Sequence, residues 1–372
     1  MLSSIEYQNI KEESVQGRYV VMEQIELILS RLPEEFTIEE IGYSVKNKSI
    51  KSVTVGGGSR KILMWSQMHG NESTTTKAVL DLLNFLQQDT QEVVEIKNKC
   101  TIKIIPILNP DGAFAYTRIN ANEVDLNRDA QNRSQPESVV LRKVYDSFKP
   151  NYCLNLHDQR TIFNVGNTNK PATVSFLAPA HDSERNISKS RAISMQLIVA
   201  MNEELQKVIP GQVGRYDDGF NSNCVGDAFQ MLNTPTILFE SGHYPEDYQR
   251  EQTRKYIFIS LVKVLGVISS NSVQEYKLKE YSKIPENGKL FFDILILNAE
   301  KLNSHIKTKK DIGILFKETL KGTNLEFVPY IDKMGDLKNN FFGHMTYDCE
   351  KEEELMNLNK LPFIDEILKN IV

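Results

Sequence analysis

The sequence predicts an α/β fold in which a central mixed, mostly parallel sheet is flanked by helices, with a small C-terminal α+β or β-rich region after it. Two observations indicate this class. Short apolar runs of strand length alternate with longer segments whose apolar residues recur at helical spacing. Several of these runs also end at a titratable residue, and ligands bind at the carboxyl ends of strands in open α/β sheets.

Composition and charge narrow the classes of function. The 372 residues are 40% apolar and 25% charged, with a formal net charge of −5, which is typical of a globular chain with a sizeable core. A net negative charge disfavours a nucleic-acid partner. No run of about 18 apolar residues is present, so we expect no membrane partner.

The cysteines and the N-terminus bear on location. Four cysteines are widely scattered without a CxxC pair: Cys100, Cys153, Cys224 and Cys349. We expect reduced thiols, as in the cytoplasm. The first seven residues lack the basic and apolar regions of a signal peptide. The sequence therefore predicts a cytoplasmic location.

The first 60 residues predict a helix and a β-hairpin. A helical pattern runs over residues 19–32, and two alternating runs, 41–45 and 50–55, predict the hairpin. Residues 56–58 are three glycines, but the Lys-Ser/Thr pair of a phosphate-binding loop does not follow them. We expect a turn there.

The next strand and helix enclose the first chemical motif. An apolar run at 61–64 is followed by His69 and Glu72, and then by a helical pattern over 73–86. Zn²⁺ binds histidine nitrogen and carboxylate oxygen, so both residues are candidate metal ligands. The alternative is a loop histidine with a carboxylate that favours the dipole of the following helix.

A second apolar run, 101–108, predicts a strand that ends in a turn at 109–112. A polar loop over 116–129 follows, and loops of this kind often carry function. Guanidinium groups bind carboxylates in bidentate fashion. The candidates for binding an anionic ligand are Arg118, Asn127 and Arg128. The alternative is a solvated loop whose charges satisfy one another.

A third strand, 152–158, follows a helix predicted from Ser134 to Phe148, and it carries His157 near its end. Two strands of one sheet would then each deliver a histidine at the carboxyl end. We expect His157 to join the other two candidates around one metal, with Asp158 or a backbone carbonyl orienting an imidazole. The alternative is a structural histidine.

The last strand of this region, 236–240, ends in an acid, Glu240. Along the chain, the sequence predicts a strand at 173–177 and a helix over 186–208 before this strand, and a helix over 248–269 after it. Beside a metal-activated water, the carboxylate of Glu240 is suited to take a proton and pass it to a leaving amine. The alternatives are a helix cap or an ion pair.

The segment 210–225 is irregular and rich in Gly, Asp and Asn, with Tyr216 near its centre. It predicts either a mobile loop that covers a substrate or a plain surface connection. We expect the residues that line a specificity pocket within 219–227.

Taken together, these motifs resemble the zinc metallocarboxypeptidases. His69-Gly70-Asn71-Glu72, Arg118, Asp125-Leu126-Asn127-Arg128, Leu156-His157 and Glu240 stand in the order found in that family, over roughly residues 50–270. The resemblance implies one Zn²⁺ per chain, and the implied ligands are His69, Glu72 and His157.

The resemblance also implies roles for the other residues. Arg118 would stabilise the oxyanion of the scissile carbonyl, and Asn127 with Arg128 would hold the terminal carboxylate of the substrate. Glu240 would be the general base and acid for a zinc-activated water, and Tyr216 is the candidate for a tyrosine that covers the substrate. The implied activity is hydrolysis of a C-terminal amide bond of a peptide.

Two alternatives stay open. The interval from Glu72 to His157 is compact, as in the related aspartoacylase and succinylglutamate desuccinylase family, which cleaves an acyl group from a small amino acid with the same zinc chemistry. The substrate is therefore a peptide or a small acyl amino acid. The second alternative is a catalytically inactive module that binds peptides.

The sequence predicts a catalytic domain over 1–270, a charged linker over 271–289, and a small accessory region of unknown role over 290–372. In the accessory region, apolar runs predict strands at 290–297, 312–316 and 325–330. Short helices are predicted at 350–358 and 362–371.

Overall fold

A computed structural model describes residues 7–302 and 310–369. The helices are α1 Met22–Leu29, α2 Thr74–Leu86, α3 Gln91–Lys99, α4 Pro110–Ala115, α5 Pro136–Phe148, α6 Lys189–Leu205, α7 Val225–Met231, α8 Glu251–Ser270, α9 Glu352–Asn359 and α10 Ile364–Lys369. The strands are β1 Thr37–Tyr43, β2 Ser49–Val55, β3 Arg60–Trp65, β4 Cys100–Ile105, β5 Tyr152–Asp158, β6 Asn164–Val165, β7 Val174–Leu177, β8 Val213–Arg215, β9 Thr236–Ser241, β10 Asn287–Gly288, β11 Phe291–Leu297, β12 Asp311–Lys321, β13 Asn324–Gly335 and β14 Phe342–Asp348.

The chain forms two compact units. The first contains the residues up to Gln159 together with Ala172–Asn287, and the second contains Arg160–Pro171 together with the residues from Gly288 onward. In the first unit, eight strands form one sheet in the order β1-β2-β4-β3-β5-β9-β7-β8. Strands β4, β3, β5 and β9 run parallel in the centre, and β1, β2 and β7 add antiparallel pairs. The predicted α/β fold with a mixed sheet is confirmed.

Helices lie on both faces of this sheet because its central strands are apolar on both faces. In β3, Ile62 and Met64 belong to the large cluster that includes residues of α2, α3, α6 and α8. The alternate residues, Leu63 and Trp65, belong to a second cluster with residues of α5 and α7. Successive side chains of a strand point to opposite faces, so one continuous apolar run supplies both layers.

The turn predicted at 109–112 is the start of a short helix, α4. The Asn109 side chain accepts a hydrogen bond from the Gly112 backbone N–H at 2.8 Å, and Pro110 occupies the first helical turn. Asparagine at the cap and proline just inside are both signals for a helix start. The same residues favour turns, which is why the local sequence did not separate the two outcomes.

Most of the segment 271–289, which the sequence predicts to be a linker, belongs to the first unit and contributes to its core. Val273, Tyr281 and Ile284 are buried in the large apolar cluster of the first unit. Their burial extends the first unit to Asn287. In the sequence, charged residues separate these three apolar residues, so no apolar periodicity indicates that the segment is buried.

The second unit contains a four-stranded sheet in the order β13-β12-β11-β14. All seven residues of β11 are buried. One apolar cluster of this unit includes Leu358 of α9 and Ile364 of α10. The unit is therefore α+β. The last two residues of the helix predicted over 362–371 lie outside the described residues.

Among the described helices, none combines the length and apolarity that a membrane-spanning helix needs.

A buried ion pair joins α2 to α8 and anchors the N-terminal segment. Arg254 donates to both carboxylate oxygens of Asp81, at 2.7 and 2.5 Å, and neither side chain is exposed to solvent. The same guanidinium donates to the carbonyl groups of Glu12 and Val15. Tyr7 also donates its hydroxyl to Asp81, at 2.6 Å.

We expect Asp81→Ala to lower the free energy of unfolding by about 3–5 kcal/mol, because the buried guanidinium loses its bidentate carboxylate and keeps only Glu251, whose Oε2 lies 3.3 Å from Nη1. Urea denaturation measures the change. The control is Asp146→Ala, which breaks the exposed pair of Asp146 with Arg142 within α5, at 2.9 Å, and should cost less than about 1 kcal/mol. Equal losses in the two variants would contradict the role of the buried pair.

Candidate active site

The side chains of His69, Glu72 and His157 converge at the carboxyl ends of β3 and β5. His69 Nδ1 lies 2.8 Å from Glu72 Oε1, and His157 Nδ1 lies 2.8 Å from Glu72 Oε2. The two Nδ1 atoms are 3.1 Å apart. All three side chains are buried, and their ligand atoms, one from each residue, all lie within 4.8 Å of one another.

This donor set fits a zinc ion. Zn–N and Zn–O bonds of about 2.0–2.1 Å in a tetrahedron place neighbouring ligand atoms roughly 3.3 Å apart, close to the separations observed. Both imidazoles turn the same kind of nitrogen, Nδ1, toward one point beside a carboxylate. Two histidines and a glutamate leave the fourth position for water or substrate, as in catalytic zinc sites.

The charges of the cluster are mutually dependent. Burial opposes ionisation of Glu72, but the adjacent His69 and His157 hold the pKa of its carboxyl well below the usual value. Burial also opposes the protonated form of His69, but Glu72 and Asp125 raise its pKa overall. For His157, burial prevails and lowers the pKa. The carboxylate is therefore ionised, as a metal ligand must be.

Asp125 orients the first histidine. Its Oδ1 lies 3.0 Å from His69 Nε2. An Nε2–H that donates to this carboxylate would leave Nδ1 to bind a metal. Asp158, expected to orient an imidazole, instead accepts hydrogen bonds from the Thr74 backbone N–H at 2.9 Å and from the Ser241 hydroxyl. Sequence reasoning placed Asp125 in a motif but missed this role.

Arg118 belongs to the same network. Its Nε donates to Asp125 Oδ2 at 3.1 Å, and its Nη1 donates to Glu72 Oε1 at 3.2 Å. Half of this side chain remains exposed. The guanidinium is therefore fixed by two carboxylates at the edge of the cluster.

Glu240 lies beside the cluster because of strand register. In the parallel pair β5–β9, His157 is the partner of Glu240. Glu240 is buried, and its Oε2 has no hydrogen-bond partner among the described residues. Burial raises the pKa of this carboxyl well above its ordinary value, the carboxylates of Glu72 and Asp158 raise it further, and nearby arginines oppose them.

Arg128 has a different environment from Arg118. It is exposed, and its Nη1 donates to the Asn127 carbonyl at 2.8 Å and to Cys224 Sγ at 3.0 Å. Both acceptors are neutral. Within 7–302 and 310–369, no Asp or Glu forms an ion pair with it. Asn127 is held in turn, since its Oδ1 accepts from the Val225 backbone N–H at 3.0 Å.

Tyr216 follows β8, and its backbone N–H donates to the Phe176 carbonyl at 2.9 Å. Burial raises the pKa of its phenol, and the carboxylates of Glu240 and Glu72 raise it further. The tyrosine thus lies within electrostatic range of the cluster. Its role as a cover for the substrate stays a prediction.

The close approach of two turns shapes the loop that carries His69. A Cβ on Gly70 would lie 1.9 Å from the carbonyl carbon of Gly112 and 2.1 Å from the backbone nitrogen of Ala113. At Gly70, the turn after β3 and the turn that starts α4 therefore approach backbone to backbone. Only glycine at position 70 permits this contact.

These features define a class, an α/β protein with a His₂Glu cluster at its strand ends that could hold a metal ion, the ligand set of zinc peptidases such as carboxypeptidase A. The sequence profile of the family described as zinc carboxypeptidase matches residues 21–228. The chain belongs to this family, as the resemblance predicted.

Curated relatives match over part of their length. The chain is 30% identical over 146 residues to carboxypeptidase E of Caenorhabditis elegans, an alignment that covers 32% of the chain and 31% of that protein. It is 28% identical over 130 residues to a probable carboxypeptidase 2 of Trichophyton verrucosum, covering 34% of the chain and 24% of the relative. The chain thus spans about a quarter of the length of the fungal relative.

Solved structures share the fold. A metallo-carboxypeptidase from Burkholderia cenocepacia aligns with a TM-score of 0.54 at 15% identity, over 68% of this chain and 69% of that chain. A putative carboxypeptidase A from Shewanella denitrificans aligns with a TM-score of 0.55 at 16% identity, over 68% of each chain.

We expect Gly70→Ala to disrupt the metal centre, because the added Cβ forces the His69 turn away from Gly112. Zinc bound per chain should fall, as measured by atomic emission, and the melting temperature should drop by several degrees. The matched control is Gly57→Ala, where an added Cβ meets nothing within 4 Å. Full zinc content in Gly70→Ala would contradict the close contact.

We expect Asp125→Ala to weaken zinc binding by about 10- to 100-fold, because His69 loses the acceptor that fixes its ring. Competition with a chromogenic chelator measures the affinity. Asp217→Ala is the control, since Asp217 is an exposed acid whose Oδ1 accepts only from Gly219 of its own loop among the described hydrogen bonds. Unchanged affinity in Asp125→Ala would refute this role.

Proposed function

We propose that this protein is a zinc-dependent metallocarboxypeptidase that hydrolyses the C-terminal amide bond of a peptide. The observation that supports it best is the convergence of His69, Glu72 and His157 beside the buried carboxyl of Glu240. Membership of the zinc carboxypeptidase family supports the same class of reaction. We extend the activity from the family to this chain as a proposal.

His69, Glu72 and His157 would hold the ion. When bound, Zn²⁺ polarises a carbonyl and lowers the pKa of water. Glu240 would take the proton of the attacking water and return it to the amine nitrogen as the C–N bond breaks. The unpartnered Oε2 of Glu240 and its position next to His157 suit a group that exchanges a proton.

Arg118 would stabilise the negative charge that develops on the carbonyl oxygen. Asp125 and Glu72 already fix two of its donor groups, Nε and Nη1, and these contacts leave Nη2 for the oxyanion. A donor fixed before the reaction needs no reorganisation in the transition state. Its loss typically costs about 3 kcal/mol of transition-state stabilisation.

Arg128, with Asn127, would bind the terminal carboxylate of the substrate. The guanidinium is exposed and its two contacts are with neutral acceptors, so its charge is available to an anion from solvent. A carboxylate can accept two parallel hydrogen bonds from it. Binding at this place selects substrates that end in a free carboxylate.

The test is a paired assay on zinc-loaded protein with a free-carboxylate peptide, its amidated twin, and N-acetyl and N-succinyl amino acids. We expect cleavage of the free-carboxylate peptide alone. Glu240→Gln should lower kcat by about 10²- to 10⁴-fold, and His157→Ala should abolish zinc binding and turnover. Turnover of the acyl amino acids instead would assign the chain to the deacylases. Absence of both zinc and turnover would leave a peptide-binding module.

We expect Arg128→Ala to lower kcat/KM for the free-carboxylate peptide by roughly 100-fold, because the substrate carboxylate loses its charged partner. Activity on the amidated twin should stay at its low level. The control is Arg133→Ala, since Arg133 is exposed and donates to the Gln131 carbonyl. An equal loss in both variants would point to a general effect of net charge.

A further inference from the structure

Cys224 differs from the other cysteines in position and contacts. Cys100, Cys153 and Cys349 are buried, whereas Cys224 is half-buried. Its Sγ accepts a hydrogen bond at 3.0 Å from Nη1 of Arg128, the residue proposed to bind the substrate carboxylate. One accessible thiol therefore touches the substrate-binding guanidinium.

The segment around Cys224 lies along the loop that carries Arg128. On one side of the thiol, the Val225 backbone N–H donates to Asn127 Oδ1 at 3.0 Å. On the other side, Asn223 Oδ1 accepts from the Gln131 backbone N–H at 3.1 Å. The residues on both sides of Cys224 are thus hydrogen-bonded to the loop that carries Arg128, and this places the thiol beside the guanidinium.

The thiol directs Arg128 without neutralising it. Burial raises the pKa of Cys224, and the neighbouring Asp227 and Asp125 support the neutral form against Arg128. A carboxylate at the same place would fix the guanidinium equally well but would compete with the substrate for its charge. A neutral thiol and the Asn127 carbonyl fix the direction of the group and leave its charge for the substrate.

We propose that Cys224 is a positioning residue, whose thiol holds the Arg128 guanidinium in the direction that binds the terminal carboxylate of the substrate. The inference rests on the proposed carboxypeptidase function and extends it to a residue outside the metal cluster. It follows that an adduct on this thiol displaces Arg128 and weakens binding of substrates with a free carboxylate.

The first test compares three variants of the zinc-loaded full chain. Cys224→Ala should raise KM for the free-carboxylate peptide about five- to tenfold with kcat nearly unchanged. The guanidinium loses a contact that fixes its direction before the substrate binds, and this weakens binding of the ground state and the transition state alike. Cys224→Ser keeps an acceptor and should restore part of the loss. Ser282→Ala is the control, since Ser282 is exposed and its hydroxyl donates to the Lys279 carbonyl, outside the segments proposed to bind substrate. Melting temperatures of all variants verify folding.

The second test uses the thiol itself. In methyl methanethiosulfonate treatment, the Cys224 sulfur attacks the methylthio sulfur, a new S–S bond forms, methanesulfinate leaves, and the thiol proton passes to solvent. Mass spectrometry should find the adduct on Cys224 first, and KM should rise at least as much as in Cys224→Ala. Dithiothreitol, followed by desalting and reloading with zinc, should restore KM. The Cys224→Ser variant should be insensitive to the reagent.

The outcomes separate this inference from the proposed function. If wild-type protein hydrolyses the free-carboxylate peptide and spares its amidated twin, the proposed function holds. An unchanged KM in Cys224→Ala and in the adduct would then overturn the role of the thiol alone. A wild-type protein that does not distinguish the two peptides would overturn both.

Discussion

The candidate site depends on the burial of one carboxylate, that of Glu72, between two imidazoles. An ionised carboxylate removed from water is costly unless it is paired and hydrogen-bonded. Both oxygens of Glu72 are satisfied, Oε1 by His69 and Arg118, and Oε2 by His157 and the backbone N–H of Asp158. The four neighbouring groups therefore offset the cost of burying this carboxylate.

The sheet makes this arrangement possible. The central strands are buried on both faces and mostly apolar, and the polar side chains of the candidate site lie at or beyond their carboxyl ends. His69 lies just beyond β3, and His157 and Glu240 lie near the ends of β5 and β9 at paired positions of the register. Parallel neighbours end at the same edge of a sheet, which brings residues 88 positions apart into contact.

This geometry explains how much the sequence could predict. Apolar runs that end at His69, His157 and Glu240 are local signals, so both the sheet and the metal cluster could be anticipated. The role of Asp125 could not, because it depends on where a polar loop without periodicity folds back onto His69. Asp158 is adjacent to a ligand in sequence, but the strand directs its carboxylate toward Thr74 and Ser241. Likewise, no local pattern predicts that Arg160–Pro171 joins the unit formed by the residues from Gly288 onward.

The two arginines of the site show why residue type alone does not define a role. Arg118 touches two carboxylates, so most of its positive charge is compensated. What it offers to a ligand is a hydrogen-bond donor that these contacts hold in a fixed direction. Such a donor responds to charge that develops during a reaction. Arg128 touches a carbonyl and a thiol, so its direction is fixed while its charge is not compensated. An exposed, uncompensated guanidinium attracts an anion that is already charged in solution. The same side chain is thus suited to a transition state in one place and to substrate recognition in the other, and the difference lies entirely in the acceptors that the fold puts beside it.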